Sequence, residues 1–348
     1  TGPKPHRSGR SEDALSEKKK TIVVAGAGSI GCFVGGHLAA AGHDLRFLAR
    51  PRIAAEVGEH GLTLTDRDGG KVLLAASRVA IGTDPAVLAC ADVVLVTVKS
   101  GATREMAKSV RQHAPAHAVV VSLQNGIDNA GILREELPAL QVVAGMVPFN
   151  VVALGAGRFH RSSDGDIVID ARAGALAHEL STPHLKLKTH ADMTAVAWGK
   201  LLLNLNNALN ALAGVPLREE LADRRWRLVL ATCISEALAA LAAAGIRPGK
   251  VGALPPRALP AVLRLPDFLF RLVAAGQLKI DAQARSSMWD DLEQRRTTEI
   301  DQLQGAVVAL SRRHGLRATV NEAVVDRIRK AEQQAAGSPH LTASAIQL

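Results

Sequence analysis

The sequence predicts an α/β protein in two parts: a doubly wound parallel sheet, then an all-α domain. Three observations predict it. Thr21–Arg50 reads strand, glycine turn, helix, strand. Strand-like and helix-like runs then alternate to about Gly145. From Met193 onward the strand runs stop, and apolar residues recur at helical spacing.

The first unit is TIVVAGAGSIGCFVGGHLAAAGHDLRFLAR. Thr21–Ala25 reads as a buried strand, Cys32–Ala41 as a helix stopped by Gly42, and Leu45–Leu48 as a second strand. Between them Gly26, Ala27, Gly28, Ser29, Ile30 and Gly31 form the Gly-x-Gly-x-x-Gly turn of a Rossmann-type dinucleotide site. Gly26 permits the tight turn, Gly28 lets the pyrophosphate approach the main chain, and Gly31 lets helix and strand pack closely. Phosphates then meet the free N–H groups and positive end of the helix. The second strand ends at Arg50, where an NAD-specific site would carry Asp or Glu; Asp44 lies at the opposite end. A guanidinium there suits the 2′-phosphate of NADP, so NADP(H) is the expected cofactor.

Leu62–Thr65 and Lys71–Ala75 flank Asp66–Gly70 and read as a small hairpin insertion. Asp92–Val98 is a buried strand followed by Lys99-Ser100-Gly101 and a helix, Ala102–His113. Ala118–Leu123 is another strand, followed by Gln124-Asn125-Gly126, a helix Ile127–Glu136 and a strand Gln141–Gly145. The glycine turn and these two loops all lie at strand carboxyl ends, where such sheets bind ligands. Pro148 to about His190 is mixed and β-like. Helices are then expected over Met193–Ala213, Arg218–Ala244, Pro260–Ala275, Ser286–His314 and Thr319–Glu332. This gives a tail at 1–20, a nucleotide-binding domain at 21–190, a helical substrate domain at 191–332 and a frayed tail at 333–348.

Composition narrows the function. Of the net charge of +9, residues 1–20 contribute +3, six basic minus three acidic; the rest forms no basic stripe. Aromatic content is only 3%. Nucleic acid is therefore not the expected partner, whereas an anionic cofactor and a carboxylate substrate are. The longest apolar runs are broken by Gly or charge, so no membrane span is expected, and Thr1–Lys20 lacks the apolar core of a signal peptide. Cys32, Cys90 and Cys233 are far apart and read as small buried residues of a reducing, cytoplasmic setting. The twelve histidines show no ligand spacing, so no metal is assigned.

Trp198–Asn207 carries the candidate chemistry. Lys200 and Asn204 lie four apart on one helix face, and Asn207 returns to nearly the same angle. Asn204, Asn206, Asn207 and Asn210 crowd a helix otherwise made of leucine and alanine. Such a stripe either bridges helices in a buried network or lines a cleft for a keto acid. Ser286 or Ser287 could cap the next helix and still present a hydroxyl. On one straight helix Glu299 would lie about 18 Å beyond Ser287, so that the two touch opposite ends of something long. Taken alone, Asp291 and Glu299 read as a solvated face beside Arg295 and Arg296.

GAGSIG, VTVK, QNG, WGKLLLN, SSMWDD and TEID occur in this order, and together they resemble the 2-dehydropantoate 2-reductase (ketopantoate reductase) family over roughly residues 21–332. The resemblance implies a Rossmann domain joined to a helical domain akin to that of 6-phosphogluconate dehydrogenase. It implies NADPH-dependent reduction of ketopantoate to pantoate on the route to coenzyme A. It also implies Lys200 as general acid, and Asn204 and Ser287 as substrate ligands. Asn125 would lie by nicotinamide and substrate, Lys99 near the cofactor and Glu299 on the cofactor side. Two positions depart from the family pattern: Ala208 and Arg218 stand where members carry Asn, and Asn207 is expected to replace the first. The alternatives are an NADP-dependent reductase of another 2-oxo acid and a non-catalytic NADP(H)-binding sensor. A homodimer paired through Arg218–Ala244 is a further expectation.

Overall fold

The computed structural model describes residues 19–250, 254–274 and 283–346; most of the expected amino-terminal tail, and Ala275 at the end of one expected helix, lie outside these. Twelve strands are described: β1 Thr21–Ala25, β2 Asp44–Leu48, β3 Leu62–Asp66, β4 Lys71–Leu74, β5 Ala80–Gly82, β6 Val93–Val96, β7 Val119–Ser122, β8 Gln141–Met146, β9 Val151–Gly155, β10 Arg158–Arg161, β11 Ile167–Asp170 and β12 Leu187–His190. Five helices accompany them: α1 Ser29–Ala40, α2 Pro51–His60, α3 Thr103–His113, α4 Asn129–Glu136 and α5 Gly174–Leu180.

Eight strands form one sheet in the order β12-β11-β8-β7-β6-β1-β2-β5. Its neighbours are parallel except β8 and β11. The chain winds outward from β1 in one direction and from β6 in the other, so the switch point lies between them, at the glycine turn. β1 and β6 are wholly buried and, apart from Thr21 at the start of β1, apolar, as strands covered on both faces must be.

The expected hairpin insertion is one half of a second sheet, β4-β3-β10-β9. Its other half comes from the mixed stretch about 90 residues on, which local pattern could not pair with it. This sheet covers α1 on the side away from β1. A β-carbon at Gly35 would lie 2.5 Å from the Phe47 ring, and one at Gly36 would lie 2.7 Å from Leu64. Helix α1 is therefore buried almost all round, which explains its small residues.

After β12 the chain is helical: α6 Met193–Asn204, α7 Asn206–Ala213, α8 Leu217–Ala222, α9 Arg224–Ala243, α10 Leu259–Arg264, α11 Asp267–Ala274, α12 Ser287–Glu293, α13 Gln304–Arg313 and α14 Thr319–Gln334. Four of the long helices expected here are broken. Met193–Ala213 is interrupted at Leu205, whose carbonyl accepts from the Gln304 side chain at 2.7 Å. Arg218–Ala244 restarts at Asp223, which caps α9 by accepting from the Arg225 N–H. Pro266 stops α10. Ser286–His314 ends its first segment after two turns: Arg295 takes a left-handed φ of 53°, its N–H bonds the Leu292 carbonyl, and the Arg296 N–H bonds that of Asp291. That is a Schellman stop built without glycine. The 18 Å ruler between Ser287 and Glu299 therefore does not apply.

Helix α9 is long and apolar enough to cross a bilayer by length and composition, contrary to expectation. Its apolar side chains, among them Val229, Ile234, Ala237 and Leu241, are instead the core of the helical half. It contributes no large exposed hydrophobic residue. The expected frayed carboxyl tail is packed: the Leu341 N–H bonds the Leu212 carbonyl, and Ala343 and Ile346 are buried. Cys32 and Cys233 are buried as expected, but Cys90 is only half-buried.

Candidate active site

The glycine turn presents main chain at the sheet's carboxyl edge. Gly26 has a φ of 105°, and a β-carbon there would sit 2.8 Å from the Val98 nitrogen. The Gly26 and Ala27 N–H groups both donate to the Leu48 carbonyl, which ties the turn to the end of β2. At Gly28 a β-carbon would meet only open space, the nearest atom being 4.0 Å away. Gly28 caps α1 without a side chain, so the first turn of α1, at Ser29, Ile30 and Gly31, points its N–H groups outward. The turn thus fits a dinucleotide pyrophosphate: an open approach, free donors and a positive helix end. Beyond β2, Arg50 is exposed and its side chain has no hydrogen bond among the described residues, whereas Arg52 is held by Glu56 at 2.9 Å. Of the two arginines, Arg50 is the one free to take a phosphate.

The loops after β6 and β7 meet the helical half. Lys99 bonds Asp291 at 2.6 Å, and its Nζ lies 3.4 Å from the Thr297 carbonyl. Glu299 accepts from the Ser100 N–H at 3.2 Å, from the Ser100 hydroxyl at 3.0 Å and from the Asn125 amide at 3.4 Å. Asp291 is 4% exposed and also takes Arg296 at 2.9 Å. The solvated-face reading of both carboxylates is thereby overturned: they pair across the two halves because the Schellman stop folds the chain back over the sheet edge. Beneath them Ser100, Thr103, Gln124 and Asn129 form a buried hydrogen-bonded set that fixes both loops. Sequence reading named the loops but missed Thr103 and Asn129; the only signal was Asn129 one helical turn after Asn125.

Lys200 stands on α6 with its ammonium donating to the carbonyl of Val147, the residue after β8. Burial pushes it down to about 8, and Glu299 pulls against that shift. An ammonium so depressed at the carboxyl edge of the sheet is suited to give up its proton near neutral pH.

The four asparagines of the stripe divide in two. Asn206 and Asn210 bond Glu220 at 3.3 Å and 3.0 Å, and Asn210 also bonds the Val215 carbonyl. The side chains of Asn204 and Asn207 are half-buried and make no hydrogen bond among the described residues. Ser286 is the cap of α12, accepting from the Trp289 N–H and donating to the Asn207 carbonyl. That leaves the Ser287 hydroxyl exposed and without a partner among the described residues. Ala208 is wholly inside the helical core, and Arg218 is exposed on α8.

A sequence model described as Ketopantoate reductase PanE/ApbA matches residues 22–174, and one described as Ketopantoate reductase PanE/ApbA C terminal matches 192–332. A 2-dehydropantoate 2-reductase of Halobacterium salinarum is 31% identical over 90% of this chain and 99% of its own length. The crystal structure of a PanE/ApbA family ketopantoate reductase from Ralstonia eutropha superposes with a TM-score of 0.77 at 27% identity, covering 90% of this chain and 99% of that one. D-mandelate dehydrogenase, solved with NADH and anilino(oxo)acetate, shares the fold with a TM-score of 0.76 at 20% identity, covering 90% of this chain and 99% of that one.

Proposed function

Since this chain belongs to the ketopantoate reductase family and is an oxidoreductase of that kind, we propose that it reduces a small 2-oxo acid with NADPH, ketopantoate to pantoate being the first candidate. The observation that carries this reading is Lys200: a partly desolvated ammonium at the sheet's carboxyl edge, on the helix that ends at Asn204, whose side chain has no hydrogen bond among the described residues. Gly26–Gly31 would hold the pyrophosphate and Arg50 the 2′-phosphate. Lys99, Asn125 and Glu299, already drawn together, would border the nicotinamide end. A nicotinamide held there would supply the hydride for the carbonyl carbon. Negative charge then grows on the carbonyl oxygen, where Lys200 stabilises it and delivers its proton. Asn204, Asn207 and Ser287 would orient the substrate's polar groups, and Asn125 its reacting end.

A second reading, another 2-oxo acid, is favoured by Ala208 and Arg218. Ala208 offers no polar atom, and Arg218 adds a cation on α8. The deciding experiment measures NADPH consumption with ketopantoate and a panel of 2-oxo acids, with NADH run alongside. Fastest turnover of ketopantoate with NADPH is expected. Faster turnover of another oxo acid selects the second reading, and cofactor binding without consumption on any of them leaves a sensor.

A further inference from the structure

One titratable group of the helical half is buried beside the candidate subsite yet absent from the chemistry above. Glu220, on α8, is 1% exposed. Its Oε2 accepts from the Asn210 amide at 3.0 Å and the Asn206 amide at 3.3 Å. Asn210 spends its remaining capacity on the Val215 carbonyl at 2.9 Å and on the Ser286 N–H, also at 2.9 Å. Ser286 then closes the circuit, its hydroxyl donating to the Asn207 carbonyl at 2.9 Å. The path from Glu220 thus runs through one amide to the cap of α12, next to Ser287, and returns to α7 at Asn207.

We propose that Glu220 is a positioning residue, a neutral carboxylic acid that clamps the amino end of α12 against α7 and so sets Ser287 relative to Asn204 and Asn207. This rests on the reading of those three residues as the substrate subsite. No cation forms an ion pair with Glu220 among the described residues, and a buried carboxylate without one is costly. Burial pushes its carboxyl up to about 8 against the pull of the two amides. The pattern of unpartnered atoms agrees. Glu220 Oε1 and Asn206 Oδ1 are both buried without a hydrogen bond, on two side chains already in contact. As a carboxylate, Glu220 would present acceptors only, and both oxygens would remain orphaned. The neutral acid adds the one O–H donor that this pair lacks.

The test compares the full chain with Glu220→Gln, which keeps one acceptor and one donor, and with Glu220→Asp, which withdraws the group by one methylene. The Gln variant is expected to hold KM for the oxo acid within about twofold. The Asp variant should raise KM about tenfold, the equivalent of one hydrogen bond, with kcat and NADPH affinity little changed. Amide exchange over 286–289 should quicken in the Asp variant and not in the Gln variant. An infrared band of a protonated carboxyl should be present in the parent at neutral pH and lost in the Gln variant. Unchanged exchange and KM in the Asp variant overturn the clamp, and so does a KM rise matched by equal loss of NADPH affinity. Absence of the infrared band, or a Gln variant as impaired as Asp, overturns the neutral acid. If the parent reduces no oxo acid, the functional reading falls alone, because exchange and infrared still report on Glu220.

Discussion

The sheet half and the helical half offer the proposed site different material. In the sheet half the groups proposed to hold the pyrophosphate are main chain: N–H groups at the start of α1, exposed because Gly28 carries no side chain. In the helical half the proposed groups are side-chain ends: Lys200, and Asn204, Asn207 and Ser287, which stay free among the described residues while their neighbours pair with one another. A main-chain site depends on what is missing, so adding one carbon should damage it. A side-chain site depends on what is present, so truncation should cost chemistry and spare the fold.

The largest effect expected from this contrast is at Lys200. Lys200→Ala should lower kcat by about two to four orders of magnitude, the usual worth of a general acid, while NADPH binding and melting temperature stay near the parent's. Titration gives the same residue a second signature. The acid works while protonated, and burial has brought it down to about 8. Turnover should therefore hold below that pH and fall as pH rises through it. Stopped-flow reduction across pH 6–10 checks this, and a rate flat to pH 10 would remove Lys200 from the role.

The glycine turn sharpens the contrast from the other side. Gly26→Ala places a β-carbon 2.8 Å from main chain at a φ of 105°, so it should cost about 1–3 kcal/mol of stability along with NADPH affinity. Gly28→Ala meets nothing in the fold, so its melting temperature should not move. Its methyl should still stand where the pyrophosphate approaches, weakening NADPH about tenfold or more. Equal melting shifts in the two variants would break the distinction between a glycine that shapes the turn and one that clears space.

The same difference decides what could be read from the sequence. The glycine turn was legible because strand, turn and helix signals all fall within 30 residues. The stripe around Lys200 was legible as a stripe, but not its division. What separates Asn206 and Asn210 from Asn204 and Asn207 is Glu220 and Ser286, brought in from 10 and 76 residues beyond Asn210. Helix ends were misread where the stop lies in tertiary structure or in an unusual residue. Arg295 occupies a left-handed position where glycine would have announced the end. The carboxyl tail looks frayed in sequence because small polar residues dominate it, yet buried Ala343 and Ile346 and main-chain hydrogen bonds such as Leu341 N–H to the Leu212 carbonyl dock it.

Arg50 tests an intermediate case, a side chain serving the sheet half. Arg50→Ala should weaken NADPH about tenfold or more and leave NADH binding nearly unchanged, because only the former carries the 2′-phosphate. The ratio of the two dissociation constants is the measurement. An unchanged ratio would assign the phosphate to another group.

The smallest effect is expected at Lys99, where the two halves touch. Its ion pair with Asp291 is short, but Lys99 itself is 44% exposed, and water screens much of the attraction. Asp291 is the buried partner, and it does not become an orphan when Lys99 is lost, because Arg296 still holds it at 2.9 Å. Lys99→Ala should therefore cost at most about 1 kcal/mol of stability. Its consequence for NADPH should be a few-fold rise in dissociation constant, since one cation leaves the border of an anionic ligand. Asp291→Ala removes the shared partner and leaves two cations facing each other, so it should destabilise more than Lys99→Ala. A melting comparison that reversed this order would place the weight of the contact on the exposed ammonium, against its solvation.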